Sequence, residues 1–224
     1  NNATLVVAGD VTPAEVRTLA TKYFGPIQAG PAVAKPAPEP AVLLIDKRET
    51  MEDRVTLARL TLAWPGVESW NADQAALGVL AGILGSGKTG RLNERLVYTE
   101  EVAQSVFAFN GSAEIAGSFT VQLTAREGGV LTRLEQETLE EIARLATEGP
   151  TPAEVQQAIT RAEAGSVFAL TSVAGKADRL NNYQTMRGQA DLFNQDLART
   201  RAVTPEDVRR VARTYLHGKP KVAL

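Results

Sequence analysis

From Val55 to Trp64 the chain changes character at every residue: Thr56, Ala58, Leu60, Leu62 and Trp64 form one set, and Val55, Leu57, Arg59, Thr61 and Ala63 the other. Alternation of period two marks a strand with two unlike faces, and the set ending in Trp64 is the better core face. A little further on the period lengthens. Ala76, Val79, Leu80, Ile83 and Leu84 recur at three-and-four spacing, which lines them along one side of a helix. A chain that switches between these two periods must bury sheet and helix against each other, so the fold class is α+β.

The other elements follow from the same signals. Thr4 to Ala8 is a β-rich run halted by Gly9-Asp10, and Ala41–Asp46, Val102–Phe109, Ser118–Ala125 and Lys221–Leu224 read as further strands. Asn110-Gly111 is the turn signal between Val102–Phe109 and Ser118–Ala125. Thr12-Pro13, Thr151-Pro152 and Thr204-Pro205 each place an N-cap hydroxyl before a proline at the first helical position, with Glu15, Glu154 and Asp207 three residues after the threonine. The first of these helices carries Val16, Leu19, Ala20 and Tyr23 and stops at Gly25-Pro26. Asn71 to Gln74 resembles a capping box ahead of Ala76, and Arg91–Tyr98, Val130–Thr147, Leu192–Arg199 and Val208–Leu216 are also expected to be helical. Gln28 to Pro40 contains Pro31, Pro36, Pro38 and Pro40 and reads as an extended connector inside a single domain spanning residues 1–224. With 224 residues and 44% apolar content, such a chain can bury a substantial core.

Composition removes several kinds of chemistry. There is no cysteine and one histidine, His217, so disulfides, thiolate zinc sites, cysteine catalysis and histidine-rich metal sites are all excluded. His217 itself reads as a cation at the end of a helix. Cysteine-free chains occur on both sides of a membrane, so this absence assigns no compartment, and periplasmic and membrane-tethered parents both remain open. Scattered charges summing to -2 offer phosphate backbones no basic face, so nucleic acid is not an expected partner. No apolar run approaches the roughly 20 residues that cross a bilayer, so no membrane insertion is expected. The chain starts Asn1-Asn2, without initiator methionine or leader pattern, and is read as a segment of a longer protein.

One motif suggests chemistry. Gly82-Ile-Leu-Gly-Ser-Gly87-Lys88-Thr89 fits the phosphate-loop pattern, in which backbone amides cradle phosphates, the lysine reaches the terminal phosphate and the hydroxyl holds magnesium. Such a loop follows a buried parallel strand, whereas residues 74–84 have helical spacing, so the favoured reading is a glycine hinge between helices. A nucleotide-binding domain using Gly82–Thr89 is the alternative. Glu100-Glu101 and Glu140-Glu141 are adjacent carboxylates that point apart and read as solvated faces.

Three segments together resemble a known family. They are Ala3-Thr-Leu-Val-Val-Ala-Gly-Asp-Val-Thr-Pro-Ala-Glu-Val16 running on to Lys22-Tyr-Phe-Gly25; Leu80 to Val106 with its glycine break, Gly90-Arg91-Leu92 and Ala103-Gln104-Ser105-Val106; and Gly175-Lys-Ala-Asp-Arg-Leu180 through Thr204-Pro205 to Tyr215-Leu216. They are similar to the non-catalytic C-terminal domain of the insulinase/pitrilysin-type zinc peptidases, which include the mitochondrial processing peptidases. The resemblance implies a mixed, largely antiparallel sheet packed against several helices, a half-domain of the LuxS/processing-peptidase type. It implies that zinc, bound through an H-x-x-E-H motif absent here, belongs to a catalytic domain in the same chain or in a partner subunit. It further implies a wall of a hollow clamshell enclosing unfolded peptides, with an inactive scaffold subunit as the other reading. An arginine and a tyrosine that hold the substrate carbonyl in relatives align with Val97 and Gln104, so no catalytic residue is expected in this chain, and Arg91, Tyr98 and Gln104 are left as candidate substrate contacts.

Overall fold

The alternation that begins at Val55 becomes hydrogen-bonded pairing at Arg59 in a computed structural model that describes residues 3–34 and 37–224. Its strands are β1 (Lys47–Arg48), β2 (Arg59–Gly66), β3 (Ala103–Ser112), β4 (Gly117–Ala125) and β5 (Val222–Ala223). Its α-helices are α1 (Pro13–Phe24), α2 (Gln74–Gly85), α3 (Leu131–Thr147), α4 (Pro152–Ala169), α5 (Val173–Arg187), α6 (Phe193–Arg201) and α7 (Pro205–Val211). Two π-helical segments, Asn93–Thr99 and Ala212–Leu216, complete the set. Residues 1–37 and 163–197 form one unit, and residues 38–162 and 198–224 a second.

The second unit holds the sheet, in the order β1-β5-β2-β4-β3. Every pairing is antiparallel except the two-residue parallel contact of β1 with β5. The phase read from the sequence holds: Leu60, Leu62 and Trp64 are buried, and register sets Trp64 opposite Phe119, with the rings edge to face at 6.5 Å. Val121, Leu123 and Val106 continue the same face, which meets α2, α3 and α7. On α2 the whole stripe of Ala76, Val79, Leu80, Ile83 and Leu84 is buried, with Leu77 and Ala81 beside it. The start of α2 is tied to the C-terminal helices, because Asp73 accepts from Tyr215 Oη at 2.7 Å and Arg210 Nη2 at 2.6 Å. Those donors hold the Asp73 carboxyl below its usual range, while burial and then the Asp73 bond push the Tyr215 phenol up to about 12.

All three threonine–proline entries are capped as their spacing requires. The Thr12, Thr151 and Thr204 hydroxyls accept from the backbone N–H three residues on, and Glu15, Glu154 and Asp207 return the bond to the cap N–H.

Several boundaries differ from the sequence reading. Residues 41–46 stay outside the sheet with Val42, Leu44 and Ile45 exposed, and the ladder starts at Lys47, after Asp46 has engaged the backbone N–H and Nζ of Lys221. Asn110-Gly111 does not turn the chain. β3 runs through it to Ser112 and the reversal falls at residues 113–116, because register against β4 outweighs a local turn preference. Thr4 to Ala8 is unpaired: a strand needs an edge, and residues 3–8 meet none among the described residues. The helix expected at Arg91–Tyr98 is mainly π-helical and shifted to Asn93–Thr99. Of the connector's prolines, Pro36 lies outside the described residues, as do Asn1 and Asn2.

Candidate functional site

The glycines of the phosphate-loop pattern are set by packing. A Cβ on Gly85 would stand 2.5 Å from Ala108 N, so the end of α2 lies directly on β3. One on Gly90 would stand 2.7 Å from Ser86 N, and Gly87 has φ +60, open to glycine without strain. The segment follows a helix, as its spacing indicated, and its polar groups are engaged elsewhere. Arg161 donates to Ser86 O at 2.5 Å and to Thr89 Oγ1 at 2.9 Å, Thr89 Oγ1 donates to Gln157 at 3.2 Å, and Asn93 Nδ2 donates to Gly85 O at 2.8 Å. Lys88 Nζ sits 5.9 Å from the centre of the Tyr98 ring. This is a pinned hinge.

Behind the hinge lies a cluster of opposite charges that the sequence reading missed. Arg95 reaches Glu100 at 2.9 Å, Glu140 at 3.1 Å, Glu141 at 3.6 Å and Glu137 at 3.8 Å, while Arg133 bonds Glu137 and Glu100. Glu137 and Glu141 are buried, although the adjacent pair Glu140-Glu141 reads from sequence as a solvated face. The i, i+3 and i+4 spacing of the α3 acids was the available signal. Arg95 from outside α3 meets their charges; its bond holds the Glu100 carboxyl low, Gln136 and then Arg95 lower Glu140, and the Glu100 bond raises Arg95.

Arg91, Tyr98 and Gln104 have different neighbours. The Arg91 guanidinium forks onto Glu154 and lies 3.8 Å from Glu141. Tyr98 is exposed beneath Lys88. Gln104 is the extra residue of a β-bulge between Ala103 and Ser105, exposed beside a hollow it lines with Leu57, Arg126 and Glu127. Val97 packs against the core and has no donor to offer.

The second sheet face differs from the first. Register sets Phe109, Thr120 and Ala63 in one row, Phe107, Gln122 and Thr61 in the next, and Gly111, Ser118 and Pro65 in a third. Apart from Thr120 these residues are half-buried or exposed, with Phe107 60% and Phe109 49% exposed at the rim. The result is a small, polar surface edged by two aromatic rings. Period-two alternation pointed to this face; the paired rings required the register.

The described residues offer zinc no usual site. One histidine and no cysteine cannot make a usual ligand set, and no group of three metal-ligating side chains occurs among the described residues. The acids around Arg95 are already neutralised by guanidinium groups.

A mixed sheet packed on one face against α2, α3 and α7, with a pinned glycine hinge at the end of α2, defines an α+β domain. The chain belongs to the peptidase M16 inactive domain family, whose model matches residues 1–162. It is 28% identical over 167 residues to an uncharacterised zinc protease of Streptomyces coelicolor, covering 75% of this chain and 36% of that protein. It is 28% identical over 223 residues to the mitochondrial-processing peptidase subunit beta of Blastocladiella emersonii, covering 96% of this chain and 47% of that one. The chain therefore spans half or less of these relatives. Among solved structures it is similar in fold to a protease from Helicobacter pylori, with a TM-score of 0.83 at 21% identity over 96% of this chain and 53% of that one. A peptidase M16 inactive domain from Pseudomonas fluorescens gives 0.79 at 22%, over 96% and 51%.

Proposed function

We propose that this chain is the substrate-enclosing, non-catalytic domain of a zinc metalloendopeptidase that acts on unfolded peptides, with the metal and its ligands carried by a catalytic domain of the same polypeptide or of a partner subunit. The observation that carries this reading is the second face of the sheet. A face of Thr61, Ala63, Ser118, Gln122 and the two rim phenylalanines is too polar to be an unfinished core and too accessible to be one already covered. An extended peptide without structure of its own can satisfy its backbone there and lay apolar side chains on Phe107 and Phe109. Tyr98 and Gln104 contact substrate marginally, and Arg91 does so only beyond its bond to Glu154.

The test is Phe107→Ser with Phe109→Ser in the full-length enzyme, assayed on an unfolded peptide. Burying a Phe fully against substrate is worth about 1.5–3 kcal/mol, so losing two partly covered rings should raise KM about tenfold with kcat within twofold. Unchanged KM in a folded, zinc-loaded variant would remove this face from substrate binding.

A further inference from the structure

The run Ala41-Val-Leu-Leu-Ile45 has the composition of a buried strand, yet Val42, Leu44 and Ile45 are 80%, 83% and 72% exposed. Register explains why it does not join the sheet. β1 and β5 pair in parallel with Lys47 opposite Val222, so two residues earlier Ile45 would meet Pro220, which has no N–H to give. The next N–H back, that of Lys219, is taken by Leu216 O at 3.1 Å. Asp46 closes the ladder by accepting from the N–H and Nζ of Lys221 at 3.0 and 2.6 Å. The run is therefore anchored at one end and makes no backbone pair among the described residues.

The same anchor stands on the wall of a hollow. Asp46 lines an open cavity of about 420 Å³ whose apolar lining is Leu139, Ile142 and Ala143 of α3 with Leu216 and Pro220. A cavity of about 150 Å³ accommodates benzene, so this one has room for two aliphatic side chains. Val42 and Leu44 fall on one side of an extended run, and both lie within about 14 Å of extended chain from Asp46. We propose that Ala41–Ile45 is a strap, hinged at Asp46, that closes over this hollow by seating Val42 and Leu44 on α3. The run begins where the connector Gln28–Pro40 ends, so closing it fixes that end of the connector against α3, and opening it adds the run to the free chain. Burying two aliphatic side chains and ordering a short run of backbone are opposed terms of similar size, so the strap stands near balance and a small bias moves it.

The chain contains no cysteine, so one engineered pair reports the closed state. A disulfide needs Cα atoms within about 7 Å, and cysteine packs as a small hydrophobe, so Leu44→Cys leaves the strap able to seat. With oxidised glutathione, Leu44→Cys with Ala143→Cys should form an internal disulfide at least about tenfold faster than Leu44→Cys with Glu94→Cys. Glu94 is exposed on the segment beside β3, at the opposite edge of the sheet from β1. Val42→Asp should bring the first rate down to the second, and should make alkylation of Leu44→Cys alone about two- to fivefold faster. If Ala143→Cys lowers the melting temperature, Lys219→Cys, exposed on another wall of the hollow, takes its place. Equal rates for the two pairs, a fast rate that survives Val42→Asp, or alkylation indifferent to Val42→Asp would overturn the strap. Disulfide-linked dimers in place of the internal bond would overturn it as well, because the run would then dock on a second copy.

Discussion

Arg91 donates two hydrogen bonds to Glu154, Nε to Oε1 at 2.6 Å and Nη2 to Oε2 at 3.0 Å. The same carboxylate accepts from the N–H and hydroxyl of Thr151 at the start of α4. One carboxylate thus closes a helix cap and anchors the residue that follows the glycine hinge. Arg91 first, then Thr151, holds the Glu154 carboxyl at about 2, against 4.5 ordinarily. A carboxyl depressed on folding contributes stability above its unfolded pKa and loses it as the pH falls.

Arg91→Ala should therefore cost stability at pH 7, and the gap between variant and parent should narrow as the pH is lowered from about 4.5 towards 2. The side chains are partly exposed, so screening limits the pair to the order of 1 kcal/mol. Arg91→Lys should recover only part of this, because an ammonium cannot fork. Urea melts at pH 7 and pH 3 read both effects; a gap that is constant with pH would separate Arg91 from the cap.

Gly85→Ala should destabilise by about 1–3 kcal/mol, since a Cβ 2.5 Å from Ala108 N forces α2 off β3 and overpacking typically costs that much. Gly78, exposed on the same helix with nothing within 4 Å of its added Cβ, is the control. Gly78→Ala should stabilise by up to about 1 kcal/mol through helix propensity alone. Thermal melts of both variants decide, and equal effects would mean that the close approach carries no energy.

What could be read from the sequence was whatever a single segment specifies. Leu60, Leu62 and Trp64 revealed their face, α2 its stripe, and Thr12, Thr151 and Thr204 their caps, because these depend on neighbours three or four residues away at most. What escaped depends on partners far along the chain. The Asn110-Gly111 turn lost to the β3–β4 register, and the residues 41–46 run lost its strand because pairing begins only where β5 is available. The buried carboxylates of α3, Glu137 and Glu141, meet arginines 42 to 50 positions away, which no local pattern reveals. The phosphate-loop string was legible but ambiguous; the helix before it and the Ala108 contact give its glycines a packing role.

Lys88→Ala should change stability by less than about 0.5 kcal/mol, as surface substitutions generally do, because Lys88 is exposed and lies over the equally exposed Tyr98 ring. Calorimetric titration with Mg-ATP should give no saturable heat in either form, since the Thr89 hydroxyl is engaged by Arg161 and Gln157. Micromolar ATP binding abolished by Lys88→Ala would reinstate the phosphate loop.

Gln104 carries the last prediction, because it stands where relatives are expected to place a carbonyl-holding donor. A bulge residue is offset from the ladder, which can re-aim a side chain, and here the amide lies exposed beside Leu57, Arg126 and Glu127. Its companion position, Val97, is half-buried against the core and has no donor. Stabilising a developing oxyanion requires preorganised donors at hydrogen-bond distance, and one exposed, flexible amide beside an apolar companion does not meet that requirement. Gln104→Ala in the full-length enzyme should therefore lower kcat/KM on an unfolded peptide by less than about tenfold, with any loss in KM. Removing a true oxyanion donor costs on the order of 100-fold or more, and it falls on kcat. A drop of that size in kcat, with zinc content and melting temperature unchanged, would assign this wall a direct part in the chemistry.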